Sequence, residues 1–186
     1  MDRFDLDQFL AECDDAVHEG DRVGAVRSVL EAAASRPGSV RDALGPPTTG
    51  SLTVLHHAPD LTVLNVVWTP GMVIEPHDHS MLASIAVYEG GEDNAFFRTL
   101  DDASIEPAGG RTLRGGDVAV LGPEIIHRVR ADPDRYTGAI HVYAGDFFDR
   151  ERRTWDETTG APTQDDRPVA QLFAEAEAAR AARDPR

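Results

Sequence analysis

Cysteine is almost absent: Cys13 is the one thiol in 186 residues. A lone cysteine excludes an intrachain disulfide and cannot build a thiolate metal cage by itself. Long apolar runs are missing too, and none approaches the roughly 20 residues that a membrane-spanning helix needs. The opening MDRFDLDQFL carries acidic residues where a secretory leader would place a basic patch and then an apolar stretch. A cytoplasmic location is the default expectation. Positive charge is scarce, with 18 Lys and Arg against 33 Asp and Glu and a formal net charge of -15. Phosphate recognition needs a concentrated basic surface, so the charge argues against nucleic acid and against anionic membranes as partners. An acidic, solvated surface of this kind keeps a protein soluble. The chain also lacks a Ser/His/Asp arrangement, a phosphate-cradling glycine loop and a dinucleotide-binding fingerprint.

What remains is enough for one well-buried domain and too little for two ordinary ones. Residues 1–50 read as a helical region packed on the rest. Phe4, Leu6, Phe9 and Leu10 recur at helical spacing, and DRVGAVRSVLEAAA gives a second run that ends before Pro37-Gly38. Across 51–148 the texture changes to short β-rich runs: SLTVLHHA, LTVLNVVW, LASIAVYEG, NAFFRTL, DVAVLG, IHRVRA and TGAIHVYAG. Turn signals separate them, among them Thr69-Pro70-Gly71, a hairpin at Gly90-Gly91, Ala108-Gly109-Gly110 and Gly115-Gly116-Asp117. Seven or eight short strands without intervening helices predict a sandwich or closed barrel. Residues 149–186 supply a loop, TTGAPTQDDRP, and an alanine-rich helix whose Val169, Leu172 and Phe173 are expected to pack back onto the body.

Chemistry concentrates in GMVIEPHDHS. Alternate side chains of an extended chain leave the same face, so His77 and His79 are expected to point together and Asp78 away. Two such imidazoles can converge on one ion. The segment GGDVAVLGPEIIHRV adds His127 on a new strand after the Gly122-Pro123 turn, the third donor that a barrel needs to complete a facial triad. Imidazoles suit Fe, Ni, Co, Cu or Zn, so the donors do not name the metal. Glu75 lies two residues before His77; it is either a fourth ligand or an outward or outer-sphere residue.

These two segments resemble the paired motifs of the cupin superfamily, with Gly71, His77-Asp78-His79 and Gly90 in the first and Gly116, Pro123 and His127 in the second. The resemblance implies a mainly β, double-stranded β-helix (jelly-roll barrel), with N-terminal helices and a C-terminal helix added. The glutamate of the first motif is missing, its place taken by Ala83 or Ser84. Among cupins with three histidines the chain is similar to the thiol dioxygenases, the cysteine and 3-mercaptopropionate dioxygenase group. That likeness covers about 51–148 and rests on Trp68 leading into Gly71 and His77-Asp78-His79, on Ile126-His127-Arg128-Val129, and on Ala139, His141 and Tyr143 against the family's Ser-x-His-x-Tyr. It implies Fe(II) held by His77, His79 and His127, and Tyr143 supported by His141 as the catalytic pair.

The residues of GAIHVYAG allow either of two faces. Ala139, His141 and Tyr143 share one, and Ile140 and Val142 share the other. No cysteine stands near Ala83 to tether the tyrosine, and SLTVLHHAP lacks the family's carboxylate-binding arginine, which puts cysteine itself in doubt as substrate. Arg98 or Arg128 could replace that arginine or lie on the surface. One of His56 and His57 must face inward, and His18 sits in the helical region. The expected function is oxidation of a small organic thiol to its sulfinate with O2, by a monomer or homodimer without nucleic-acid or membrane partners. A carbon–carbon-cleaving dioxygenase or isomerase on the same metal is the alternative enzyme. A non-catalytic metal- or small-ligand-binding cupin is the third reading.

Overall fold

Asp5 and Asp21 each stand ahead of an apolar periodic run and accept the backbone N–H three residues on, from Gln8 and Gly24. This satisfies a donor that the first helical turn would otherwise leave open. In the computed structural model, which describes residues 3–164 and 167–183, the two caps open α1 (Leu6–His18) and α2 (Arg22–Ala34). The second helix ends before Pro37-Gly38, as the sequence predicts, and that pair then starts an unforeseen third helix, α3 (Pro37–Leu44), where a proline in the first turn has no needed N–H to lose.

The strands are β1 (Ser51–His57), β2 (Thr62–Trp68), β3 (Val73–His77), β4 (Ala83–Glu89), β5 (Gly91–Thr99), β6 (Ile105–Arg114), β7 (Val118–Leu121), β8 (Ile126–Ala131), β9 (Thr137–Tyr143), β10 (Thr154–Trp155) and β11 (Pro162–Thr163). Helix α4 (Val169–Arg183) comes last. Two antiparallel sheets form, in the orders β1-β2-β9-β4-β7 and β11-β10-β3-β8-β5-β6. Their central strands, 2-9-4-7 against 3-8-5-6, are visited by a chain that changes sheet at every step except β5 to β6. This is the double-stranded β-helix of cupins.

Two turn signals prove to be something else. Gly90-Gly91 is a corner and not a hairpin, because β4 and β5 belong to different sheets. Gly90 takes φ 75, and a Cβ there would lie 2.7 Å from the Tyr136 carbonyl. Ala108-Gly109-Gly110 lies inside β6, a strand the turn signal conceals. A Cβ on Gly110 would lie 2.9 Å from the Asn94 carbonyl, so the glycine admits close approach to β5.

Strands β2 and β9 are buried throughout, and β4 nearly so, because both faces of their sheet are covered. Val63, Ala86, Ile140 and Val142 pack outward beneath α1–α3, whereas Leu64, Val66, Ile85 and Ala139 face the barrel interior. Each fully buried aliphatic side chain of this kind contributes about 1.5–3 kcal/mol. The inward set meets Val129 and Ala131 from β8. Helix α4 closes one end of the barrel, stacking Phe173 on Trp68 with ring centroids 5.2 Å apart. Its Glu177 accepts from Gly50 N at 2.7 Å and Thr69 Oγ1 at 2.8 Å, which ties the helix to the barrel.

Candidate metal centre

Pro76 has no N–H for the ladder between β3 and β8, and the pairing register breaks between Ile74 and His77. The irregularity re-aims the end of the strand. Ile74 faces inward and Glu75 outward, and the break brings His77 inward as well, opposite His127 on β8. His79 corrects the sequence expectation. It is not on a strand; it sits in the loop after β3, which turns back at Ser80 with φ 52. Asp78, wholly buried, holds that bend. Its carboxylate accepts from Arg153 N at 3.0 Å and Nε at 2.6 Å and pairs with Nη2, while Asp78 N donates to Arg153 O at 3.1 Å.

The three imidazoles converge. Their ring centroids lie 4.9, 4.6 and 5.2 Å apart, and one nitrogen from each falls within 4.8 Å of the others. His77 Nδ1 lies 2.8 Å from Glu75 O, and His127 Nδ1 lies 2.7 Å from Asn94 Oδ1. Both partners are oxygens that only accept, so each neutral ring carries its proton on Nδ1 and presents a lone pair at Nε2. His79 Nε2 stands 3.0 Å from His127 Nε2. Nitrogens about 2.1 Å from one ion and at right angles around it are about 3.0 Å apart, so this spacing fits two ligands of one metal. Burial holds all three rings below their ordinary pKa, His77 at about 4, which keeps them in the neutral, ligating form. The donor set therefore fits a divalent transition metal.

These imidazoles border a cavity of about 90 Å³ walled by Trp68, Val129, Leu172 and Phe173 among others. No Asp or Glu among the described residues lines it. His141 and Tyr143 face into it, with His141 Nδ1 3.1 Å from the Tyr143 hydroxyl. Burial pushes the Tyr143 phenol up and the His141 imidazole down to about 3, so both are neutral. Ala83, paired with Tyr143 across β4 and β9, is the inward residue at the place of the missing glutamate. Ser84, its neighbour in sequence, takes the opposite face on an alternating strand.

No protein-family model matches the chain. Among solved structures it is similar to an uncharacterized conserved protein with a double-stranded β-helix domain from Klebsiella pneumoniae subsp. pneumoniae. There the identity is 18%, with 61% of this chain and 86% of that chain covered and a TM-score of 0.46. An RmlC-like cupin family protein from Methanocaldococcus jannaschii is 10% identical over 54% of this chain and 84% of its own, with a TM-score of 0.45. The hydroquinone 1,2-dioxygenase PnpCD is 14% identical over 56% and 69%, with a TM-score of 0.43.

Other residues singled out in the sequence lie elsewhere. Glu75 is exposed and accepts from Glu157 N at 3.4 Å, so it is no fourth ligand. Arg98 pairs with Glu106 on the surface, and Arg128 pairs with Glu157. Neither lines the cavity, and neither do His56 and His57. His57 bonds Asp146 at 2.9 Å, and His18 bonds Asp60 at 2.9 Å. Sequence reasoning missed two arginines that line the cavity: Arg167, which pairs with Glu175, and Arg152, whose guanidinium lies 4.5 Å from the Phe147 ring centre. Burial lowers the Arg152 pKa, and no carboxylate among the described residues pairs with it. In the sequence it belongs to the charged run Asp149–Arg153, which carries no strand period to say which member turns inward. Arg153, held by Asp78, fixes its neighbour there.

Proposed function

We propose that this chain is an Fe(II)-dependent dioxygenase that converts a small anionic organic thiol to its sulfinate. One observation carries the reading: three imidazoles able to ligate an ion, a fourth beside a phenol, and the guanidinium groups of Arg152 and Arg167 face a single cavity lined by no carboxylate among the described residues. An ion held by His77, His79 and His127 keeps its full 2+ charge, which draws anions and favours a thiolate over a thiol. Iron at this position would supply neighbouring sites for the thiolate and for dioxygen. The overall change balances without an added reductant, since RS⁻ and O2 give RSO2⁻, with sulfur losing the four electrons that dioxygen gains.

The chain's own groups do the rest. Arg152 offers a desolvated guanidinium to the substrate's anionic end, and a charge-assisted hydrogen bond in such a site contributes about 1.5–3 kcal/mol. Among the described residues no acidic side chain lines the cavity to accept from an ammonium group, which favours a mercapto acid without an amine. Tyr143, neutral throughout the ordinary pH range, remains a hydrogen-bond donor. When His141 Nδ1 carries its proton it donates to the phenol oxygen and leaves the phenol hydrogen for the reacting groups. Trp68, Leu172 and Phe173 exclude water.

The test is oxygen uptake by anaerobically purified protein reconstituted with Fe(II). The candidate substrates are 3-mercaptopropionate, cysteine, cysteamine, mercaptosuccinate and diketones. One O2 consumed per thiol with a sulfinate product is expected, fastest for 3-mercaptopropionate. Uptake with diketones alone, or none with any compound, would overturn the reading.

A further inference from the structure

Behind His127 the barrel buries a carboxylate for which the proposed turnover has no use. Glu92 is 1% exposed and lies on β5 in phase with Asn94 and Phe96. Its partner position on β8 is Ala131, whose small side chain leaves room. Asn94 Nδ2 donates to Glu92 Oε1 at 3.0 Å, and Asn94 Oδ1 accepts from His127 Nδ1 at 2.7 Å. Burial raises the Glu92 pKa, and the Asn94 amide and then the Trp68 indole N–H work against that rise; Glu92 Oε1 is the acceptor for Asn94, and Oε2 closes no hydrogen bond.

An amide side chain is ambiguous by itself, because a half-turn exchanges its oxygen and its NH2 with little change of shape. Turned the wrong way, Asn94 would present NH2 to His127 Nδ1. That nitrogen would then have to accept, and the neutral ring would carry its proton on Nε2, the atom that faces His79. No lone pair would remain there for an ion. A carboxylate offers acceptor oxygens, so Glu92 holds the amide with its NH2 inward and its oxygen toward His127.

We propose that Glu92 is a positioning residue for the metal centre: through Asn94 it fixes the His127 tautomer that leaves Nε2 free for a divalent ion. This rests on reading His77, His79 and His127 as a metal site. A packing role makes different demands. Glu92→Gln fills the same space yet presents both a donor and an acceptor, so the order of the amide is no longer enforced. Asn94→Asp accepts from His127 unaided but sets two buried carboxylates against each other. Combining the two substitutions reverses the polarity of the bond between positions 92 and 94 and keeps the acceptor for His127.

The experiment is anaerobic titration of the full-length apoprotein with Fe(II), and separately Co(II), against a competing chelator, with apoprotein melting followed in parallel. Wild type is expected to bind one ion. Each single variant should bind about 10–100-fold more weakly, the usual cost of losing an outer-sphere partner of a ligating histidine. The E92Q/N94D double variant should bind more tightly than either single variant. Wild-type affinity in E92Q, or a double variant no better than N94D, would overturn the inference while leaving the metal reading intact. Should E92Q fold poorly, the comparison of N94D with the double variant still decides. A wild-type protein that binds neither ion would overturn the metal reading and the inference together.

Discussion

Six of the seven histidines fall into two settings. His18 and His57 are partly exposed, each with its Nε2 on a carboxylate, Asp60 or Asp146. The His18 pKa is raised, first by its hydrogen bond to the Asp14 carbonyl and then by Asp60. His77, His79, His127 and His141 stand inside the barrel with no acid among the described residues lining their cavity, and burial lowers the pKa of each. The same side chain is thus a proton holder at His18 and a lone-pair donor inside the barrel. What separates the two is the company of water and carboxylates, and it is this difference that makes the interior group a candidate for a metal.

The comparison breaks most completely if the inner group is dispensable. His127→Ala is expected to abolish retention of a stoichiometric ion by metal analysis, whereas His57→Ala keeps it. Tyr143→Phe should lower kcat by about 10², the lower end of what a positioned proton donor contributes, with iron content unchanged. Loss of iron in that variant would mean the phenol is misplaced. Arg152→Gln should raise KM for 3-mercaptopropionate by roughly 10–100-fold, as loss of a charged hydrogen bond implies, and leave cysteamine nearly unaffected. Ala83→Glu would give the inner group the acid it lacks. Tighter iron binding and about a tenfold weaker apparent affinity for the anionic thiol are expected, because one negative charge then offsets half of the ion's.

The smallest effect sharpens the comparison by its sign. His141 stays neutral down to about pH 3, while an unfolded imidazole titrates near 6.5. Its stabilisation is complete above pH 6.5 and is lost as pH falls through that window, since the unfolded chain takes up a proton that the folded chain refuses. By pH 5 the loss is about 2 kcal/mol. His18 runs the other way: its raised pKa stabilises the fold at acid pH, and that contribution disappears as pH rises through the folded value. In denaturant unfolding of the apoprotein, His141→Asn should flatten the midpoint between pH 7 and pH 5. His18→Gln should lower the midpoint at the acid end alone.

Much of the fold is legible because β2, β4 and β9, covered on both faces, read as short apolar runs between turn signals, and because Asp5 and Asp21 cap their helices. Strand β6 is not legible, since Gly109, with φ 129, and Gly110, which admits close approach, lie within a strand and still read as a turn. The convergence of His77 and His127 depends on the register break at Pro76, and the route of His79 does not follow from strand spacing either. Its position depends on the Asp78–Arg153 clamp, which joins residues 75 apart in the chain. The same clamp puts Arg152 in the cavity, where local sequence gives no sign of it. Glu92 and Asn94 did carry a signal: they alternate in phase with Phe96, so a strand that turns Phe96 inward turns them inward too.

X-ray absorption on the Fe(II)-loaded protein, before and after anaerobic addition of 3-mercaptopropionate, tests most directly whether three imidazoles hold the ion without an acid. Three imidazole nitrogens are expected in the resting spectrum, with one sulfur appearing at about 2.3 Å once the thiol is added. A spectrum without three histidines, or one in which no sulfur enters, would contradict it.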